Sequence, residues 1–188
     1  MKVRHLVPAA GAALAVAAGT VAVLPPTASM AAPASSTRGD RVEVRVWETF
    51  LPAAKATRAF SYDAKRVPAG SRASVRSLSA AGRSRVTLRV HGLEPGSAYN
   101  AHVHVKPCAA DPAASGAHYK NDPKGPENPQ NEIWFSFRTD GEGDATATAW
   151  HPWTFANDRK PGSVVIHNPA LPDGTQPRAG CLSVPFAP

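Results

Sequence analysis

Cysteine is scarce in this chain of 188 residues, which has only Cys108 and Cys181. No second Cys or His lies at finger-like spacing from either thiol, so neither is predicted to be a metal ligand. In an exported protein an even pair of cysteines indicates a disulfide, and two free thiols are the alternative. Such a bridge would close a loop of about 70 residues and stabilise the fold by roughly 4 kcal/mol on the chain-entropy model.

Long apolar runs are also nearly absent. The one such run, Val7 to Leu24, is preceded by basic residues, broken by two prolines and followed by small residues. These features predict a secretory signal peptide over residues 1–31, with cleavage near Ala31 or Ala32. A membrane anchor is the alternative, but weak hydrophobicity and the proline break favour the signal peptide. We therefore expect a secreted, periplasmic or cell-envelope protein without a stable membrane anchor.

The sequence has no tight cluster of basic residues with interleaved aromatics, although its formal charge is +7. Without residues 1–31 the charge is +5, from 19 basic and 14 acidic residues. Many arginines are spread singly along the chain: Arg41, Arg45, Arg58, Arg72, Arg76, Arg83, Arg85 and Arg89. This distribution predicts a solvated surface and no nucleic-acid partner, although a positive field still attracts small anions.

No long segment has the 3.6-residue period of a helix, and 19 prolines with 14 glycines divide the chain into short pieces. Most of the predicted strands alternate apolar and polar residues, as half-buried strands do. The predicted strands are Val42–Trp47, Arg72–Leu78, Ser84–His91, Ser97–Val105, Ile133–Arg138, Asp144–Trp150, Ser163–His167 and Cys181–Phe186. They predict one all-β domain, a sandwich or barrel, over residues 41–188, after a disordered tail at 32–40. Lys106–Asn131 and Asn168–Gly180 are predicted to be long loops.

His102 and His104 are separated by one residue on a predicted strand. Their side chains therefore leave the same face, roughly 7 Å apart, and can converge on one metal ion. The flanking Val103 and Val105 would point the other way, into apolar packing. A single His-x-His pair is a weak signal, because chance and surface exposure produce many.

Two further histidines are His118, in the first long loop, and His167, at the end of an apolar strand. Either one, considered alone, is more often structural or simply exposed. Four neutral imidazoles together form a nitrogen-rich site suited to copper or zinc, and the Irving–Williams order favours copper. Imidazole ligands also support both copper oxidation states, which a redox cycle needs.

Several motifs between residues 84 and 186 resemble the Cu/Zn superoxide dismutase family in order and approximate spacing. They are His102-Val103-His104, Cys108, Gly116-Ala117-His118-Tyr119, Val164-Val165-Ile166-His167 and Arg178-Ala179-Gly180-Cys181, with turns at Gly92–Gly96 and Asp140–Ala145. The resemblance implies a Greek-key β-sandwich or flattened barrel, which is the known architecture of that family.

The resemblance also implies the ligands of one copper ion, namely His102, His104, His118 and His167. It implies a disulfide between Cys108 and Cys181 that ties the long loop to the last strand. Arg178 would line the approach to copper and attract superoxide, the expected substrate. The implied activity is dismutation of superoxide to oxygen and hydrogen peroxide, with His118 carrying a proton near neutral pH. The rival interpretations are a copper-binding or copper-storage domain without significant turnover, and a purely structural sandwich.

The sequence departs from the family at the zinc site. Two His and one Asp follow the position of His118 in the family, but no histidine lies between His118 and His151 here. The chain therefore resembles the copper-only branch, and no zinc is expected. Without zinc, the second nitrogen of His118 needs another acceptor. Glu132 and Glu127 are the nearest carboxylates in sequence, and Glu132 is predicted to be the acceptor. The alternative is that Glu132 is an acid on a strand edge that faces solvent.

Overall fold

The structure is a computed structural model that describes residues 34–38 and 41–186. The predicted signal peptide, residues 1–31, lies outside the described residues. Within the part that is described, no helix is long and apolar enough to cross a membrane.

The described residues form eleven strands and one short 3₁₀ helix. The strands are β1 (Ala34–Arg38), β2 (Arg41–Thr49), β3 (Leu51–Pro52), β4 (Ala59–Ser61), β5 (Arg72–Ala80), β6 (Arg83–His91), β7 (Ala98–His104), β8 (Trp134–Arg138), β9 (Ala145–His151), β10 (Ser163–His167) and β11 (Arg178–Ser183). The 3₁₀ helix is Pro112–Ser115. The prediction of an all-β fold is thus confirmed.

The strands make two sheets. The first, sheet A, has the order β1-β2-β5-β6-β9, and all its neighbours are antiparallel. Its strands alternate in sequence, so that Val44, Val75 and Leu88 are buried while the residues between them face outward. This is the pattern of a sheet with one face on a core and the other towards solvent.

The second, sheet B, has the order β3-β4-β11-β10-β7-β8. Its strands are antiparallel except for the short parallel pair β3 and β4. Strand β10 (sequence SVVIH) is buried along its whole length between β7 and β11. A strand buried on both faces needs a continuous apolar run, which explains why its sequence does not alternate.

Side chains from both sheets form one apolar core, which makes the fold a β-sandwich. Its largest fully buried apolar members are Tyr119, Phe50, Phe135, Phe186, Leu88, Leu93, Ile133, Ile166 and Leu182. A smaller cluster of Phe60, Cys108, Val165 and Cys181 lies on the other side of sheet B. Cys108 and Cys181 form the predicted disulfide, across 73 positions of sequence.

Some predicted boundaries differ from the structure. Strand β1 falls within the stretch predicted as a disordered tail and pairs with the edge of β2. Edge pairing of this kind uses main-chain hydrogen bonds, so it needs no side-chain pattern that the sequence could reveal. The sequence analysis missed β3 and β4, which are too short to show a period. Strand β11 covers Arg178–Ser183 rather than 181–186. Val105 is exposed because β7 ends one residue before it.

The arginines that are dispersed in sequence are not dispersed in space. Seven of the eight named above occupy outward positions on the adjacent strands β2, β5 and β6 of sheet A; only Arg58, beside Glu48, lies elsewhere. The single spacing of these arginines in the sequence therefore does not reveal that they share one surface. Strand pairing brings together side chains that are up to 48 positions apart in the chain, from Arg41 to Arg89.

Candidate metal centre

Four histidines meet on the outer side of sheet B. They are His102, His104, His118 and His167, and one ring nitrogen from each lies within 4.8 Å of the others. Such a cluster of imidazole nitrogens could bind a metal ion.

Strand β7 supplies two of these rings. Tyr99, Ala101 and Val103 alternate into the core, so His102 and His104 leave the opposite face of the strand together. Both histidines are buried, because neighbouring strands and the long loop cover them. The same-face geometry that the His-x-His spacing predicts is present in the structure.

The other two rings come from a loop and a neighbouring strand. His118 makes an isolated antiparallel bridge with His104, which places the loop directly over β7. His167 ends β10, which is paired with β7 along its length. A register irregularity between Ile166 and His167 interrupts the pairing with β11 at this point. Bulges of this kind redirect a side chain at the end of a strand.

Three of the rings are oriented by hydrogen bonds from Nδ1. His104 donates to the carbonyl of Gly116 at 2.9 Å, and His167 donates to the carbonyl of Gln176 at 2.9 Å. His118 Nδ1 donates to Glu132 Oε2 at 2.7 Å. These bonds leave Nε2 of each ring free to coordinate an ion. The Nε2 atoms of His104 and His167 are only 3.4 Å apart.

The fourth ring shows that the cluster fits a metal. Nδ1 of His102 is buried and has no hydrogen-bond partner. A buried polar atom without a partner costs free energy, so such atoms are rare unless they serve a purpose. A metal bound by this nitrogen and by three Nε2 atoms would satisfy it. The donor set is nitrogen only, which suits copper or zinc among the common metals.

Burial favours the neutral form of three of the imidazoles. It lowers the pKa of His102 to about 2, that of His104 to about 3 and that of His167 to about 4. Neighbouring rings add to the effect, because a second positive charge in the cluster would be repelled. A neutral imidazole is the form that binds a metal ion.

Glu132 lies behind His118 and is fully buried. Its Oε2 accepts hydrogen bonds from both His118 Nδ1 and Trp134 Nε1, the latter at 2.6 Å. Its isolated bridge with Lys120 fixes the backbone of the loop at this position. Glu127, the other carboxylate considered from sequence, is largely exposed and lies 3.8 Å from Lys120 Nζ.

Arg178 is held by the loop that covers the histidines. Its guanidinium donates to the carbonyl of Pro112, to Ser115 Oγ at 2.8 Å and to the carbonyl of Gly116 at 2.7 Å. Gly116 therefore links Arg178 to His104 through one oxygen. A side chain at Gly116 would be strained, because its φ is +73° and a Cβ would lie 2.9 Å from Val105 Cγ2.

A cavity of about 500 Å³ opens onto the cluster. His102, His118, His167 and Arg178 all line it. One positive side chain thus faces the same space as three of the four rings. Burial lowers the pKa of Arg178 from its ordinary value of 12.5. A guanidinium nevertheless stays charged at neutral pH.

Some contacts of the site have no sequence signal. Trp134 packs edge-on against the ring of His102, 5.3 Å between centroids, as well as donating to Glu132. The carbonyls of Gly116 and Gln176 act through the backbone, so their side-chain types do not reveal them. Only the glycine of Gly116 is a partial signal, because it permits the positive φ.

Comparison of the sequence with protein-family models and with curated proteins finds no significant match. The case for a function therefore depends on the geometry described above.

Proposed function

We propose that the histidine cluster binds one copper ion, without zinc, and that the protein dismutes superoxide. In this reaction two superoxide anions and two protons yield one molecule of oxygen and one of hydrogen peroxide. The observation that carries the proposal is a cluster of four imidazoles, three of which line one cavity together with the cationic side chain of Arg178. Copper held by the four histidines would supply the one-electron redox chemistry that this reaction needs.

The fold supports the same interpretation. An antiparallel two-sheet sandwich, a disulfide from the long loop to β11 and the order of the four histidines all agree with the superoxide dismutase resemblance. We therefore propose that the chain is a Greek-key sandwich of that type. The carboxylate of Glu132 at His118 Nδ1, where the family would have zinc, is consistent with the copper-only branch.

Arg178 would select and orient the substrate. Its charge faces the cavity next to the rings, and three oxygen acceptors hold the guanidinium in place. A fixed positive group attracts a small anion without the cost of ordering the side chain at each encounter.

His118 would manage the protons. Its Nδ1 is fixed on Glu132, so Nε2 is the nitrogen that would take up a proton once it no longer holds the metal, and that would later donate this proton to the peroxide. The buried carboxylate stabilises the imidazolium that this step creates. His118 is also the most exposed ring of the four, which gives its Nε2 access to the cavity.

The test uses the purified chain loaded with copper. Metal analysis should give one copper and no zinc, and the protein should dismute superoxide. Arg178→Ala should retain copper and lower the rate roughly tenfold or more, because it removes the local attraction for the anion. Arg138→Ala, which removes an arginine outside the cavity, is the matched control and should keep the wild-type rate.

Copper binding without dismutation by the wild type would instead support a storage or binding role. A folded protein that does not bind copper would refute both interpretations. His118→Ala should abolish turnover while the sandwich remains folded, because it removes both a copper ligand and the proposed proton carrier.

A further inference from the structure

The outward side of sheet A is strongly basic. Its strands β2, β5 and β6 carry seven arginines at outward positions, and we call this surface the arginine face. Its members are Arg41, Arg45, Arg72, Arg76, Arg83, Arg85 and Arg89. Half of the 14 arginines of the chain thus lie on one surface, whereas none of the lysines that the structure describes does.

Little negative charge balances this surface. Among the outward positions of β2, β5, β6 and β9, Glu43 is the only carboxylate, and it is 8% exposed. Arg41, Arg45 and Arg76 all donate to Glu43, at 2.7 to 3.1 Å. Within the described chain, no carboxylate pairs with Arg83 or Arg89, and both are exposed. The arginine face is therefore a surface on which guanidinium groups remain available to an external anion.

The arginine face also presents apolar groups. Trp47 and Trp150 point outward from β2 and β9, with 64% and 68% of their surface exposed. Arg85 lies over the ring of Trp150, 4.9 Å from its centroid. Beside this pair is a groove of about 410 Å³, lined mainly by apolar atoms, with Leu78 and Ala80 among its residues. The surface therefore offers both oxyanion donors and an apolar contact.

We propose that the arginine face docks the protein reversibly on a surface of anionic phospholipid. The planar guanidinium fork binds phosphate through two hydrogen bonds, which a lysine cannot do. Exposed tryptophans enter the region between lipid headgroups and acyl chains, where one side of the ring is wet and the other apolar. The combination on one surface matches a phosphate headgroup with an acyl chain beneath it.

The layout favours a lipid surface over a linear polyanion. The arginines extend over three adjacent strands and about nine residues along each, an area of roughly 10 by 25 Å at ordinary strand spacings. A polymer would follow one line across this area and contact a few guanidiniums at a time. A layer of headgroups can contact all of them together, and the acyl region beneath the headgroups can fill the apolar groove.

Docking by this surface would leave the metal centre accessible. The arginine face is the outer side of sheet A, whereas the histidines leave the outer side of sheet B. The proposal is therefore independent of the proposed catalytic function, and each can fail without the other.

The experiment is co-sedimentation of the purified chain with vesicles at 0.1 M salt. Binding is expected to vesicles of phosphatidylglycerol and phosphatidylcholine, and not to phosphatidylcholine alone. The variant Arg83→Gln/Arg85→Gln/Arg89→Gln leaves the partners of Glu43 intact. Each basic residue near an anionic membrane strengthens binding roughly fivefold, so this variant should bind on the order of 100-fold more weakly.

The matched control is Lys55→Gln/Lys106→Gln/Lys124→Gln, which removes the same charge from exposed positions elsewhere. It should bind within about threefold of the wild type, since the interaction decays within a Debye length of the lipid. An equal loss in both variants would overturn the proposal, because net charge alone would then explain binding. Should the arginine variant fail to fold, Arg83→Gln/Arg89→Gln changes only exposed side chains and should still weaken binding at least tenfold.

Tryptophan fluorescence gives a second readout. Emission should shift to the blue on addition of the anionic vesicles, and the shift should disappear in Trp47→Ser/Trp150→Ser. Retention of the shift in that variant would overturn the proposed orientation. Binding to polyphosphate or DNA without binding to the vesicles would show that the surface serves a polymer and would also overturn the proposal.

Discussion

At the scale of single residues, the carboxylate of Glu132 determines which ring nitrogen of His118 carries the proton. It is fully buried, and one of its oxygens accepts hydrogen bonds from both His118 Nδ1 and Trp134 Nε1. Because an ionised carboxylate only accepts hydrogen bonds, the proton of neutral His118 is placed on Nδ1 and the lone pair on Nε2. The same hydrogen bond fixes the orientation of the ring, as the outer partners of metal-binding histidines do.

The substitution Glu132→Gln should weaken the copper binding proposed above. A glutamine oxygen still accepts from His118 and Trp134, but the negative charge that strengthens the ligand is lost. Changes of this kind typically reduce metal affinity 10- to 100-fold. A chelator competition assay measures the effect, and thermal denaturation of the metal-free variant shows that the fold is retained.

Glu127→Gln is the control for this prediction. Glu127 also lines the cavity, but its side chain is 72% exposed and lies away from His118 Nδ1. The copper affinity of that variant should remain within about twofold of the wild type, since exposed charges act weakly through solvent. Equal effects of the two substitutions would show that the carboxylate behind His118 has no special role.

The sequence was sufficient to predict which rings meet, but not how they are oriented. His102 and His104 share a face because of strand periodicity, which needs no tertiary information. The family resemblance and the chemistry of imidazole are what add His118 and His167 to the predicted cluster. The acceptors at Gly116 and Gln176 are backbone carbonyls, whose positions depend on loop conformation and leave no pattern in the sequence.

At the scale of elements, the Cys108–Cys181 disulfide joins the loop after β7 to β11. The same loop contains the 3₁₀ helix Pro112–Ser115 and the carbonyls that hold Arg178. The loop therefore contacts β11 through a covalent bond at one point and through the Arg178 hydrogen bonds at another.

Removal of the disulfide should destabilise the metal-free protein. For Cys108→Ala/Cys181→Ala we expect a loss of about 4 kcal/mol, because the bridge closes a loop of 73 residues in the unfolded chain. This corresponds to a melting temperature lower by on the order of 10 °C. Reductant should lower the melting temperature of the wild type to a similar extent and leave the variant unchanged. A variant that melts within 2 °C of the oxidised wild type would contradict this account.

The elements that the sequence predicts well are those with a regular pattern. Strand β6 alternates over nearly its whole length, and β10 is an apolar run bounded by breaks; both were located within one residue. The start of β11, with the sequence RAG, has no period, so its pairing with β10 and β4 appears only in the structure. Short or irregular segments take their conformation from neighbours, which a linear pattern cannot represent.

At the scale of the whole molecule, the clustering of arginines on sheet A makes stability depend on pH through Glu43. Hydrogen bonds from Arg76, Arg45 and Arg41 lower the pKa of Glu43 from its ordinary value of 4.5 to about 2. A carboxyl with a depressed pKa in the folded state contributes stability that is fully present above pH 4.5. The contribution is lost as the pH falls from 4.5 through about 2, where protonation also leaves the arginines without a counter-charge.

The difference between the wild type and Glu43→Gln isolates this effect. The wild type should be the more stable at pH 7 by chemical denaturation, and the difference should shrink progressively below pH 4.5. Glu48→Gln, which removes a carboxylate from a single ion pair with Arg58, should show a much smaller dependence over the same range. A difference for Glu43→Gln that is constant from pH 7 to 2.5 would disprove the role of this carboxylate.

The pairing of β4 with β11 has a consequence for synthesis of the protein. Since a polypeptide emerges from the ribosome with its N-terminus first, β4 meets its partner only after on the order of 120 further residues have been made. Sheet A can form hairpins as it emerges, through β5 and β6, whereas sheet B cannot close until β11 is available. During that interval the edge of β4 is exposed, so chaperones or rapid translocation would be needed most for the emerging half of sheet B.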